Sequence, residues 1–332
     1  MIFKSIEDGP ALDETFEAYW PAYQRWMSRP KKRTSTKRAR EALVEHMPEL
    51  EPVFASLLER FSEHDPSTTE LARFLTLYNP PPLVRGCTQA VWLGEGGPAL
   101  VRNYDHAPHL ADGLLLQAEW GGVRTLCMTD CLWAALDGVN EHGLGVALAF
   151  GGRSITGEGF AAPLLVRYAL QACSTAAEAA DAIARIPCAM TYTFVCLDAK
   201  GRHATVYTAP DRPARIDHHL ASANHQGKVE WPQYAMQCKT VERLTRAREL
   251  LDQPEQTLEC LARQFTEKPL FRNTYDKGSG TLYTCVYRCA GEASARPTLE
   301  LLWPTQDQPW RHELGLPASE VRAVQLGEAT PA

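Results

Sequence analysis

The sequence predicts an α+β protein built on layered sheets. Strand-like runs dominate from residue 87 onward, helical stretches come in groups, and no regular strand–helix alternation of a doubly wound sheet is present. With 332 residues, 45% of them apolar and 22% charged, the chain can bury a large core. Prolines 80–82 divide a helical segment, residues 1–86, from a strand-rich part, residues 87–332.

Residues 1 to about 80 read as helical. FEAYWPAYQRWM (16–27) spaces its apolar residues by three and four, with Pro21 expected in an early turn or at a kink. In residues 40–61, Leu43, Val44, Met47, Leu50, Val53, Phe54, Leu57, Leu58 and Phe61 form a helical stripe that Pro48 interrupts. Ser67 or Thr68 can cap a third helix through Leu71, Leu75 and Tyr78. CTQAVWLG and PALVRNYDH then read as strands around the turn GEGG (94–97), and two more runs flank Gly121-Gly122. DGVNEHGLGVALAFGG (137–152) reads as a turn and then a strand. Helices are expected over 161–172 and 175–186, the second opened by Ser174. A hairpin is expected from YTFVCLD and HATVYTA, then helices around 236–251 and 254–266. Strands in TLYTCVYRC and TLELLWP close the chain.

A net charge of −6 argues against the positive field of a nucleic-acid binder. The basic run RPKKRTSTKRAR (29–40) carries no aromatic residue for base stacking and reads as a solvated linker. No stretch approaches the roughly 18 apolar residues that span a bilayer, and no secretory leader is visible, so a cytoplasmic protein without a membrane partner is expected. The ten cysteines then read as reduced and mostly buried. The pairs Cys127/Cys131 and Cys285/Cys289 have a spacing that could hold zinc, but they lie in apolar, strand-like sequence and read as core thiols, so no metal or other cofactor is expected. His218, His219 and His225 lack a matching carboxylate pattern and read as solvated or hydrogen-bonded side chains.

The residue with the most chemical potential is Cys87. It comes after Arg85 and Gly86, and a small, flexible residue before a thiol is what an internal N-to-S acyl shift requires. Cutting before Cys87 would leave its own α-amine, with a pKa of about 7.7–8.0, beside the thiol as a general base. Arg102 and Asp105, three apart at a strand end, suit an ion pair that orients a nucleophile; a plain salt bridge is the alternative. Asn140 sits in a Gly-bearing turn. Asn224 can cap a turn or donate to an oxyanion.

GCTQ (86–89), VRNYDH (101–106), DGVNEHGLGVALAF (137–150) and ANHQ (223–226) together resemble the penicillin acyltransferase family, in order and in approximate spacing over residues 83–305. Those are N-terminal-nucleophile enzymes related to choloylglycine hydrolases, penicillin V acylase and acid ceramidase. The resemblance implies a four-layer αββα sandwich and a precursor cut at the Gly86–Cys87 bond, whose helical segment can remain as a bound subunit. It implies Cys87 as nucleophile, Asp105 holding the α-amine, and Arg102 bracing the nucleophile and the acyl carbonyl. It also implies Asn224 as oxyanion donor with a backbone N–H near Phe150, and a more structural role for Asn140. Gln89 departs from the serine common there. A late arginine is also expected near the site, and Arg288, at about the right distance, matches no motif.

The expected function is therefore amide- or thioester-directed acyl transfer or hydrolysis through an acyl-enzyme, with a small-molecule acyl donor and an amine or water acceptor. A cysteine hydrolase that never cuts itself and a non-catalytic binding protein on the same fold are the alternatives. Homo-oligomerisation is left open by the sequence.

Overall fold

The chain opens with a strand, β1 (Ile2–Glu7), and this corrects the expectation of a purely helical first segment. Six residues are too few to show a period against the helical stripes next to them, and β1 is stabilised only by partners more than 100 residues away. The computed structural model describes residues 1–29, 34–65, 67–84, 86–289 and 296–327. Arg85 and part of the basic run, residues 30–33, lie outside the described residues.

Helix α1 (Pro10–Met27) begins on a proline and runs through Pro21. Helix α2 (Thr36–His46) starts at Ser35, whose side chain accepts from the Arg38 N–H. The expected break falls at Pro48, in a short 3₁₀ turn before α3 (Glu51–Ser62) and α4 (Thr68–Thr76). The rings of Phe16 and Phe61 stack at 4.2 Å where α1 meets α3.

The strands β2 (Gly86–Trp92), β3 (Ala99–His106), β4 (Leu114–Trp120) and β5 (Val123–Asp130) lie where the sequence places them. The turn expected from residue 137 is displaced. Asp137 and Gly138 lie inside a strand, β6 (Ala134–Asn140), and the turn comes only at residues 141–144, before β7 (Gly145–Phe150). A charged residue and a glycine read as turn formers, but Asp137 is tolerated in a buried strand because other strands bring it partners. Helices α5 (Ala162–Ala172) and α6 (Ala176–Arg185) come next, the latter capped by Thr175 in a capping box with Glu178 and not by Ser174.

The hairpin of β8 (Tyr192–Leu197) and β9 (His203–Ala209) extends into β10 (Arg212–Asp217), then β11 (Ala221–Ser222). The helix expected over 236–251 is two, α7 (Pro232–Cys238) and α8 (Thr240–Leu251), separated by Lys239 in a left-handed conformation at φ 52°. After α9 (Leu258–Phe265) come β12 (Gly280–Arg288), β13 (Thr298–Leu302), β14 (Trp310–Glu313) and β15 (Glu320–Ala323). Strands β10, β14 and β15 carry no clear signal in the sequence, because all three are short and largely polar.

Two sheets result. One has nine strands in the order β10-β9-β8-β7-β6-β5-β4-β1-β15, the other six in the order β11-β2-β3-β12-β13-β14. Their inner faces meet where β2 and β3 pack on β7. Helices α5 and α6 cover the outer face of the large sheet, and α8 and α9 that of the small one. The architecture is thus the four-layer αββα sandwich. One apolar cluster joins the space between the sheets to the N-terminal helices, and a second fills the layer between the small sheet and α8 and α9. Among the described residues, no helix is long and apolar enough to cross a membrane.

Candidate active site

Side chains on a strand alternate between its faces, and this alternation builds the site. On β2, Cys87 and Val91 belong to the cluster between the sheets, while Ala90 and Trp92 belong to the cluster under α8 and α9. On β3, Leu100 and Tyr104 face inward and Val101 outward. Register pairs Gly86 with Asp105 and Cys87 with Tyr104. Cys87 and Arg102 therefore share the inner face, whereas Asp105 points to the helical layer. The ion pair expected between Arg102 and Asp105 does not form. Three is an odd spacing on a strand, so the two side chains emerge on opposite faces.

Arg102 is fully buried and finds other partners. Its Nη2 donates to Cys87 Sγ at 3.2 Å and its Nε to the Leu148 carbonyl at 3.1 Å. Its Nη1 donates to Asp137 Oδ2 and, at 3.1 Å, to the Tyr283 hydroxyl. Asp137 also accepts from the hydroxyls of Tyr283 at 2.8 Å and Tyr287 at 2.6 Å. Burial alone would lower the basicity of Arg102. The neighbouring Cys87 and Asp137 outweigh it and hold the guanidinium well above its ordinary value, so the side chain stays cationic. Burial, reinforced by the Asp137 charge, pushes both tyrosines well above the usual phenol range, so they remain O–H donors.

On the opposite face, Asp105 Oδ1 accepts from Thr281 Oγ1 at 2.7 Å. Its Oδ2 lies 3.4 Å from Arg243 Nη1 and 3.7 Å from Arg272 Nη1. A Cβ on Gly86 would come within 2.9 Å of that carboxylate oxygen, so close approach is what requires glycine before Cys87. Arg243, from α8, is fully buried. It donates to the Cys87 carbonyl at 2.7 Å, to Thr88 Oγ1 at 2.5 Å and to Asn224 Oδ1 at 2.6 Å.

Asn224 lies just past β11. Its Oδ1 accepts from the Cys87 backbone N–H at 3.0 Å and its Nδ2 donates to the Phe150 carbonyl at 2.9 Å. Phe150 thus presents its carbonyl to the site, and the next N–H, of Gly151, donates to Thr191 at 2.8 Å. Gly152 passes so close to the Asn224 carbonyl that a side chain would collide with it. Asn140 stands apart from this group. Its Nδ2 donates to the carbonyls of Leu170 at 2.9 Å and Cys173 at 2.8 Å, and its Oδ1 accepts from His142 and Leu144, both at 3.1 Å. These bonds tie α5 to the turn after β6.

Arg288 is on the surface, paired with Glu259 at 2.8 Å. The arginines that converge on Cys87 and Asp105 are Arg243 and Arg272. No local pattern marks either one; a lone arginine in the buried stripe of α8, with Thr240, Leu244, Ala247 and Leu250, is the only trace. Asp137 is visible in the sequence only as part of a turn. His225 bonds to Thr240 Oγ1 at 2.8 Å, while His218 and His219 lie on the surface. None of the ten cysteines is in a disulfide, and Cys127, Cys131, Cys285 and Cys289 are buried. No cluster of three metal-binding side chains occurs among the described residues. A cavity of about 280 Å³ opens beside Gly86, with Asp105, Trp231, Tyr234, Cys238 and Arg272 on its walls.

The model of the acyl-coenzyme A:6-aminopenicillanic acid acyl-transferase family matches residues 92–297, a span that starts five residues after Cys87. No curated protein matches the chain in sequence. Among solved structures, the chain is similar to the Caenorhabditis elegans N-acylethanolamine-hydrolyzing acid amidase ortholog, at 14% identity and a TM-score of 0.47 over 63% of this chain and 95% of that one. It is similar to the Agrobacterium tumefaciens penicillin V acylase, at 15% identity and a TM-score of 0.44 over 68% and 86%. It is also similar to the Clostridium perfringens conjugated bile acid hydrolase, at 11% identity and a TM-score of 0.46 over 73% and 98%.

Proposed function

The chain belongs to the acyl-coenzyme A:6-aminopenicillanic acid acyl-transferase family, and from that premise we propose that it is a cysteine N-terminal-nucleophile acyltransferase or amidohydrolase activated by cutting itself before Cys87. One observation carries the proposal. Three atoms of Cys87 are each held by a side chain from a different part of the fold: Sγ by Arg102, the backbone nitrogen by Asn224, and the carbonyl by Arg243. A buried structural thiol has no need of such a frame.

In the first reaction the Cys87 sulfur attacks the Gly86 carbonyl, and the bond from that carbon to the Cys87 nitrogen breaks as the nitrogen takes up a proton. Water then hydrolyses the thioester, leaving a carboxylate at Gly86 and a free α-amine on Cys87. In turnover, that amine removes the thiol proton and the sulfur attacks the amide or thioester carbonyl of a small acyl donor. Negative charge gathers on the carbonyl oxygen. The Asn224 amide, whose Nδ2 donates to the Phe150 carbonyl in the intact chain, and a backbone N–H near Phe150 are its proposed donors. The leaving group takes the proton from the ammonium and departs. Water or an amine then attacks the acyl-thioester and releases the acyl group. Arg102 offers its cationic N–H to charge that develops on sulfur. Asp105, beside the residue-86 position and already facing Arg243 and Arg272, is the carboxylate that pairs with the new ammonium group. No metal or other cofactor enters these steps.

Cys87 is fully buried in the intact chain. This favours activation by cutting over a cysteine hydrolase that works uncut, because the uncut chain presents no sulfur to a substrate. Mass spectrometry of freshly made wild type and Cys87→Ala, with a screen of amide and thioester donors, tests the proposal. Wild type should appear as one fragment ending at Gly86 and one beginning at Cys87, and the alanine variant as a single inactive chain. A wild type that stays whole yet turns over substrate would favour the uncut hydrolase. A whole chain that no electrophile labels at Cys87 would favour a binding protein.

A further inference from the structure

The residue after Asn224 does not touch Cys87, yet it reaches the frame around Cys87 through one hydroxyl. The Asn224 backbone N–H donates to Thr240 Oγ1 at 2.7 Å, and Thr240 Oγ1 lies 2.8 Å from His225 Nδ1. Thr240 is fully buried and opens α8, three residues before Arg243. A backbone N–H can only donate, so it takes up a lone pair of the Thr240 oxygen. The hydroxyl proton then needs an acceptor of its own, because a buried O–H left unpaired is costly. Among the described residues, His225 Nδ1 is the acceptor it meets. That role requires an imidazole with a bare Nδ1. Burial first, and then the charges of Arg248 and Arg243, hold His225 below its ordinary value, so the ring is neutral at neutral pH and carries its proton on Nε2.

The contact sits where it bears on the Asn224 amide. The side chain of Asn224 is committed to Cys87, Arg243 and Phe150, so its aim depends on where the backbone beneath it stands. The strand before it, β11, is only Ala221–Ser222, and the sheet gives Asn224 itself no ladder bond. Two contacts replace the ladder. Gly152 packs on the carbonyl, where a Cβ would collide with the Asn224 oxygen and come within 3.4 Å of the His225 Cα. Thr240 holds the N–H. The Thr240 hydroxyl therefore sets where the Asn224 amide stands relative to Cys87, and His225 sets where that hydroxyl points.

We propose that His225 is a positioning residue for acyl transfer: its Nδ1 fixes the Thr240 hydroxyl, and that hydroxyl sets the Asn224 amide against Cys87. This rests on the acyl-transfer function proposed for Cys87 and Asn224. His225 and Thr240 are 15 residues apart with α7 between them, so no local motif joins them.

The test compares kcat and KM of self-cut wild type, His225→Asn, His225→Leu and Thr240→Val on one amide that wild type turns over. Asparagine puts Oδ1 where the imidazole puts Nδ1 and keeps an acceptor for the hydroxyl. Leucine removes that acceptor, and valine keeps the shape of threonine without the hydroxyl. His225→Asn should retain kcat to within about threefold, while His225→Leu and Thr240→Val should each lose about tenfold in kcat with KM unchanged. The double variant His225→Leu/Thr240→Val should lose no more than the worse single variant, because both break the same chain of contacts. A variant that folds but stays uncut counts as a loss of kcat, since Asn224 also holds the Cys87 nitrogen. Wild-type kcat in His225→Leu, or a loss in His225→Asn equal to that in His225→Leu, would overturn the role of His225 while leaving acyl transfer intact. A loss carried by KM, or losses that multiply in the double variant, would overturn it too. Should Thr240→Val not fold, the two His225 variants still decide. A wild type that turns over no amide or thioester would overturn the acyl-transfer proposal and this one with it.

Discussion

At the scale of single residues, the site is a set of commitments that few substitutions respect. Asn224 accepts through Oδ1 from Cys87 and Arg243 and donates through Nδ2 to Phe150, so its amide is used at both ends. Aspartate would keep the first role and lose the second, setting a carboxylate oxygen against a carbonyl. Turnover by Asn224→Asp should fall by on the order of 10²–10³, the usual cost of one oxyanion donor, while Cys87 of the self-cut enzyme still reacts with thiol reagents. Near-normal turnover would remove Asn224 from the oxyanion site. Asp137 has a different job, since it faces Arg102 and two tyrosines but not the reacting carbonyl. Asp137→Asn leaves a buried guanidinium without its counter-charge. It should cost about 3–5 kcal/mol in chemical denaturation, and activity should go with the displaced Arg102.

Elements meet at fixed polar joints. Asn140 makes four bonds that tie the turn after β6 to the end of α5, none of them to the groups that frame Cys87. Asn140→Ala should lower stability by about 2–4 kcal/mol, because it leaves buried carbonyls and N–H groups unpaired. The fraction that remains folded should cut itself and turn over substrate like wild type. A variant of wild-type stability with lost turnover would instead place Asn140 in the reaction. The left-handed break at Lys239 is a joint of the same kind, since it starts α8 where Arg243 can reach Cys87, Thr88 and Asn224 together.

For the whole molecule, the position of β1 would decide the fate of a chain cut before Cys87, as proposed. It pairs with β4 on one side and β15 on the other, and the terminal amine donates to the Val324 carbonyl at 2.7 Å. A fragment ending at Gly86 cannot leave without opening the nine-stranded sheet. The two fragments should co-elute in size-exclusion chromatography and separate only in denaturant; their separation in buffer would contradict this sheet order. Stability should also depend on pH near neutrality. His225 and His312 are depressed below their ordinary value of 6.5, in both cases first by burial. The unfolded chain therefore takes up protons at higher pH than the folded one. Stability is full above about pH 6.5 and falls as pH drops toward the folded-state values. Thermal melts between pH 7.5 and 5.5 should show this decline, and His312→Gln should flatten it.

Much of this architecture is legible in the chain itself. Helical stripes, proline stops and glycine turns are local, so α3, α5, β2, β3 and the hairpin of β8 and β9 can be read from residues 83–305 and the helical segment before them. Cys87, Arg102, Asp105 and Asn224 are legible because each sits in a short motif. Their partners are not. Arg102 meets Asp137 and not Asp105, Asp105 meets Arg243 and Arg272, and β1 joins a sheet whose other strands begin more than 100 residues later. A sequence records period and composition, which depend on neighbours along the chain. Which buried charge faces which depends on strand order and on the face each side chain leaves from, and those are set only when the two sheets close on each other.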